Sequence, residues 1–227
     1  MLVTKRNIGE IILTRLSRSI DLSNQLFIVD YVDSLFGLLV AIVLSQNTSD
    51  KNSIKALRNL MEETQLLPEK ILSLKDEKLE ELIRPGGLYK EKAKRIKELA
   101  RMMVNGYSLE KILNMPVEEA RRELLKIPGI GKKTADVFLA IHGKETIGVD
   151  THAARVSKRL GIAPQDGKYE DIRRALLRVF KGQENYDIVH RYLIALGRKW
   201  CKAKDPICHE CPLNDICQYY RKRKKKS

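Results

Sequence analysis

The four cysteines of this chain all lie near its C-terminus, spaced as Cys201-x6-Cys208-x2-Cys211-x5-Cys217. One compact four-thiolate site accounts for all of them, and such a site forces the segment from 201 to 217 to wrap around a single centre. The N-terminus, Met1-Leu2-Val3-Thr4-Lys5-Arg6, leads into a charged amphipathic stretch with no apolar h-region or small-residue cleavage site, so secretion is not expected. In a reducing compartment clustered thiols read as metal ligands rather than as a disulfide framework. Zinc and iron–sulfur clusters both accept four thiolates, so the ligand type leaves the metal open.

A chain of 227 residues with 43% hydrophobic and 32% charged content has room for a substantial core in one or two domains. The formal charge of +14 favours a polyanionic partner, because Lys and Arg near phosphates release condensed counterions. The alternative is a basic protein of a hot or unusual cytoplasm. The longest apolar run, Leu35 to Leu44, contains Gly37 and is about half of the roughly 20 residues that cross a bilayer, so it reads as a buried helix and no membrane partner is expected.

Helical periodicity dominates the rest. Ile8, Ile11, Ile12 and Leu16 share one face, as do Leu79, Leu82 and Ile83, and Ile172, Leu176, Leu177 and Phe180 repeat the pattern. Alternating strands are scarce, and Pro85-Gly86-Gly87, Pro128-Gly129, Gly148 and Pro164 mark turns. The pattern predicts an all-α protein. The terminal Arg221-Lys222-Arg223-Lys224-Lys225-Lys226 run reads as a disordered polybasic arm, either merely solvated or touching a polyanion.

Val117, Ala120, Leu124 and Ile127 mark one helix, begun near Asn114-Met115-Pro116, and Ala135, Phe138, Leu139 and Ala140 mark the next. Between them, Gly129 and Gly131 permit positive φ and close backbone approach, which lets N–H groups at the second helix's start face a phosphate. Many helix pairs use such a turn only to reverse the chain. Here Lys132, Lys133 and Thr134 follow at once, placing two cations where the helix dipole is already positive, an arrangement that an anion would relieve.

Leu125-x-Ile127-Pro128-Gly129-Ile130-Gly131-Lys132-Lys133-Thr134-Ala135, then Val149-Asp150-Thr151-His152, then the cysteine set, resemble in that order the endonuclease III family of helix-hairpin-helix DNA glycosylases. The resemblance runs from about Asp30 to Cys217. It implies a six-helix barrel carrying the hairpin over residues 26–143, an iron–sulfur cluster lobe from residues 1–25 and 144–220, a basic tail over 221–227, and a DNA-binding cleft flanked by the two lobes. It also implies that Cys201, Cys208, Cys211 and Cys217 hold a [4Fe-4S] cluster, whose single x2 pair between x6 and x5 differs from the two close pairs usual for structural zinc.

A glycosylase that also cuts the strand needs an amine at the anomeric carbon to displace the base and form the Schiff base from which β-elimination proceeds. Lys132 and Lys133 compete for that role on spacing, and the resemblance assigns it to Lys133, with Asp150 assisting deprotonation and steadying the sugar cation. Such a site is expected to favour the uncharged amine through desolvation and neighbouring positive charge. Asp150 also suits the N-cap of the helix over Ala153 to Leu160, and both readings can hold. His152 reads as structural, Arg155 as a partner of an acid or phosphate, and Trp200 as a core or cluster-shielding aromatic.

Nucleotide flipping needs side chains to fill the vacated space. In the family the segment matching Leu44-Ser45-Gln46-Asn47-Thr48-Ser49-Asp50 inserts one, and Pro85-Gly86-Gly87-Leu88 resembles the second insertion loop, with Leu88 as wedge. The best-known bacterial pattern, Leu-Ser-Ala-Gln-Ala-Thr-Asp, sets its Gln against Asn47, so either Gln46 or Asn47 is the inserting amide. Gly129, Gly131, Lys132 and Thr134 are the expected phosphate-side contacts.

The implied activity is a bifunctional glycosylase and AP lyase for oxidised pyrimidines in base excision repair. It would act as a monomer on double-stranded DNA bearing a damaged base or abasic site, in the cytoplasm and at the nucleoid if the source is prokaryotic. A glycosylase for mismatched thymine or uracil, or for 5-methylcytosine, is the alternative of the same class. A non-catalytic DNA-binding module is the alternative of another class.

Overall fold

The computed structural model describes residues 5–183 and 185–225, and among them every regular element is helical. The chain divides into two compact units, Met1–Gln25 with Leu139–Ser227, and Leu26–Phe138.

The Leu26–Phe138 unit is built around α2 (Leu35–Ser45), in which every residue from Phe36 to Leu44 is buried. A helix apolar on all sides has to be enclosed by others. Ser34 starts it, accepting a hydrogen bond from the Gly37 N–H at 3.0 Å. Around it lie α3 (Asp50–Thr64), which buries Ile54, Leu57 and Leu60, and α6 (Tyr89–Val104), which buries Ala93, Ile96, Leu99 and Ala100. Shorter helices complete the unit: α4 (Pro68–Ser73), α5 (Asp76–Ile83), α7 (Leu109–Leu113) and α8 (Val117–Leu124). On α5, Leu79 and Ile83 are buried while Leu82 is only partly so. The N-cap of α8 is Pro116 itself, without a side-chain cap bond, so the polar cap expected at Asn114 does not form; Asn114 instead ends α7.

The division between units falls inside α9 (Lys132–Ile141) rather than after Gly143, because Ala140 and then Ile147 and Val149 pack into the other unit's core. That core joins Ile12 and Leu16 of α1 (Lys5–Ser19), Val156 and Leu160 of α10 (Thr151–Leu160), Ile172 and Leu176 of α11 (Tyr169–Val179), and Leu193 and Leu196 of α12 (Tyr186–Lys199). Gly197 lets α12 approach α10 closely: a Cβ there would lie 2.7 Å from the His152 Nδ1.

The terminal basic run is not a disordered arm as far as it is described. Gln218–Lys224 form α13, held where Arg221 Nε donates to the Asp215 carbonyl at 2.8 Å and where Arg159 stacks on the Tyr219 ring at 4.6 Å. Lys226 and Ser227 lie outside the described residues.

Candidate active site

The hairpin joins α8 to α9 through Leu125–Gly131, and a buried ion pair spans it. Arg121 Nε on α8 donates to Asp136 Oδ1 on α9 at 2.8 Å, with Arg121 8% and Asp136 0% exposed. At the turn only Gly129 has positive φ, +82°, and a Cβ there would meet Arg95 Cδ at 2.5 Å. Gly131 differs from expectation: its φ is not positive, and a Cβ would meet nothing within 4 Å. Among the described residues no contact requires glycine at 131.

The residues that open α9 differ in exposure. Lys132 is exposed, Lys133 is half-buried, and Thr134 is buried at 3%. Among the described residues the Lys133 amine has no hydrogen-bond or ion-pair partner. Thr134, expected among the phosphate-side contacts, is buried, and its hydroxyl accepts from Gln46 Nε2 at 3.4 Å. Gln46 is held at its other end as well, its Oε1 accepting from Arg95 at 3.0 Å. Asn47 is exposed with φ +53°, and Leu88, with φ +47°, is 54% exposed. Of the two amides in the first insertion segment, Asn47 is therefore the one presented outward.

Asp150 is the N-cap of α10, its Oδ1 accepting from the Ala153 N–H at 2.7 Å. The cap fixes the carboxylate, and His190 Nε2 lies 3.8 Å from the same oxygen while finding no hydrogen-bond partner among the described residues. His152 packs on α12, and burial lowers its pKa. Among the described residues Arg155 pairs with no acid. It donates to the carbonyls of Cys201 at 2.8 Å and Gly197 at 3.2 Å, and contacts His152 Nδ1 at 3.0 Å.

One turn later on α10, Arg159 donates to the carbonyls of Lys202 at 2.6 Å and Ala203 at 3.0 Å and to Cys201 Sγ at 3.5 Å. The helix opened by Asp150 thus also anchors the cysteine loop, and Arg15 of α1 fastens the loop again at Asp215. All four cysteines line one pocket with Val156, Leu160, Leu196, Trp200, Tyr219 and Tyr220, and Trp200 is itself buried in the core. Among the described residues no three His, Cys, Asp or Glu side chains are gathered tightly enough for a single metal ion. Four thiolates accept either a zinc ion or an iron–sulfur cluster, and the four cysteines around this pocket supply that donor set. Burial pushes the Cys211 thiol up to about 11 and raises Cys208 and Cys217 too, so a bound cationic centre would have to displace those protons.

The sequence offered no sign of Lys92, Arg95, Arg121, Asp136 or His190. Their roles depend on partners far along the chain, as with Lys92 and the Leu44 carbonyl and with Arg121 and Asp136.

Residues 40–181 match the family model of HhH-GPD superfamily base excision DNA repair proteins, and residues 201–217 match the iron–sulfur binding domain of endonuclease III. The chain is 38% identical over 192 residues to endonuclease III of Bacillus subtilis, covering 84% of each chain. It is 36% identical over 191 residues to endonuclease III of Escherichia coli, covering 83% of this chain and 86% of that one. Among solved structures, a trapped covalent intermediate of endonuclease III with DNA aligns at TM-score 0.80 and 35% identity, covering 99% of this chain and 100% of that one. A thermostable thymine-DNA glycosylase, at 23% identity and TM-score 0.74 with 96% and 97% coverage, shares the fold. The chain belongs to the endonuclease III family, within the HhH-GPD superfamily of base excision DNA repair proteins, and is a DNA glycosylase and lyase with a [4Fe-4S] cluster.

Proposed function

We propose that this enzyme excises oxidised pyrimidines from duplex DNA and then cuts the strand, with Lys133 as nucleophile. The observation that carries this reading is the Lys133 amine, half-buried directly after the hairpin turn and engaged by no neighbour among the described residues. An amine in a salt bridge would have to break it before attacking; this one is not so encumbered. Its nitrogen, once deprotonated, bonds to C1′ of the extruded nucleotide as the glycosidic electron pair leaves with the base. Ring opening gives the iminium, loss of a C2′ proton expels the 3′ phosphate, and water releases the lysine. Asp150, held in place by its cap bond, accepts a proton and steadies the positive charge that develops on the sugar.

Gly129, Gly131 and Lys132 hold the sugar–phosphate backbone at the start of α9, where N–H groups and the helix dipole favour an anion. Asn47 and Leu88 enter the duplex, Gln46 supports the segment from within, and the enzyme acts as a monomer in the cytoplasm. Cys201, Cys208, Cys211 and Cys217 would hold the [4Fe-4S] cluster, which when bound cross-links their loop covalently.

Borohydride trapping tests the nucleophile. The wild-type protein and Lys132→Gln should each form a covalent adduct with duplex DNA carrying thymine glycol, and Lys133→Gln should form none. An adduct that survives in Lys133→Gln, or that disappears in Lys132→Gln alone, rejects the assignment.

A further inference from the structure

Lys92 is 1% exposed, and no step above uses it. Its Nζ donates at 2.8 Å to the Leu44 carbonyl and at 2.8 Å to the Gly86 carbonyl. Leu44 lies in the last turn of α2, where carbonyls lack helical partners, and Gly86 ends the 3-10 turn Arg84–Gly86. Just beyond one carbonyl stands Asn47, and just beyond the other stands Leu88, each exposed and at positive φ. A non-glycine residue at positive φ is strained, and it persists only where its surroundings leave no easier choice.

A buried ammonium is itself costly. Burial and the nearby Arg95 lower the Lys92 pKa to about 8, so the site tolerates the charge at a price. Methionine or leucine would fill the same volume without that cost but would leave both carbonyls unsatisfied. One turn along α6, Arg95 repeats the pattern, bonding Gln46 Oε1 at 3.0 Å while lying beneath Gly129 of the hairpin.

We propose that Lys92 is a positioning residue that ties the Asn47 and Leu88 segments together, so that both enter the duplex as one rigid wedge. This rests on the reading that those segments enter DNA. Lys92 touches neither DNA nor the reacting atoms; it acts through the two carbonyls.

Two measurements on Lys92→Met test it. The first, amide hydrogen exchange of the free holoprotein, does not depend on activity: residues 45–50 and 86–88 should lose protection at least about tenfold while the α2 core keeps its own. The second compares single-turnover rates. Cleavage of a lesion in duplex DNA should fall roughly tenfold or more, whereas strand cleavage at an abasic site in single-stranded DNA, which needs no wedge, should stay within about twofold. Unchanged loop protection in a folded variant overturns the clamp. Lost protection with an unchanged duplex rate overturns its role in flipping, as does an equal fall on both substrates. Should Lys92→Met not fold, Lys92→Gln, which keeps one donor group, is expected to give the same split at smaller amplitude, and the same outcomes decide. A wild-type protein inactive on duplex lesions would refute the proposed function, and exchange would still judge the clamp.

Discussion

Asp150 caps α10, the proposed function gives the same side chain a second role, and a single substitution separates the two. As an N-cap its Oδ1 accepts from the Ala153 N–H at 2.7 Å, a bond that an asparagine oxygen makes equally well. As the partner of a developing sugar cation it needs negative charge, which asparagine lacks. Asp150→Asn should therefore unfold within about 0.5 kcal/mol of wild type in denaturant titrations, while its single-turnover excision rate falls roughly a hundredfold or more. A variant that lost stability and activity together would reduce Asp150 to a structural cap. The hairpin glycines differ as well: Gly129 is required by its positive φ and by Arg95 beneath it, and Gly131 by no contact among the described residues.

At the scale of elements, the hairpin is held less by its turn than by what crosses it. Arg121 on α8 and Asp136 on α9 form their ion pair in a dry setting, Asp136 being fully buried. Arg121→Ala takes this bond from a fully buried carboxylate and should destabilise the protein by about 3–5 kcal/mol in chemical denaturation. Replacing both, as Arg121→Met with Asp136→Leu, should recover much of that loss. A single variant costing less than about 1 kcal/mol would mean that water already reaches the pair. Helix α10 works as a second brace: Asp150 opens it, while Arg155 and Arg159 hold the carbonyls of the cysteine loop. The loop and the carboxylate are thereby mounted on one rigid rod.

For the whole molecule, charge dominates the encounter with DNA. The formal net charge of +14 is spread over a chain whose phosphate contacts each release a counterion, so log affinity for undamaged duplex should fall linearly with log salt. Neutralising about six phosphates would weaken binding by roughly a thousandfold between 50 and 200 mM salt, measurable by fluorescence anisotropy. A nearly flat dependence would show that the basic surface is merely solvated. Part of that surface is ordered: the terminal basic run continues through Lys224 as helix α13, packed beside the cysteine pocket by Arg159 and Tyr219.

The helical class, the apolar faces of α1, α8 and α11, the hairpin and the cysteine spacing were legible in the sequence because each depends on neighbours a few residues apart. Local spacing also placed Asp150 at a helix start. It did not reveal that Thr134 turns inward to Gln46, that Arg155 serves carbonyls instead of an acid, or that the basic run coils into α13. Nor did it distinguish Gln46, tied to Arg95, from Asn47, which is exposed. Those outcomes depend on which distant groups share a buried space: Lys92 meets Leu44, and Arg121 meets Asp136, only after the helices have packed. A buried polar group takes whatever partner the fold brings within reach, and no local pattern encodes that choice.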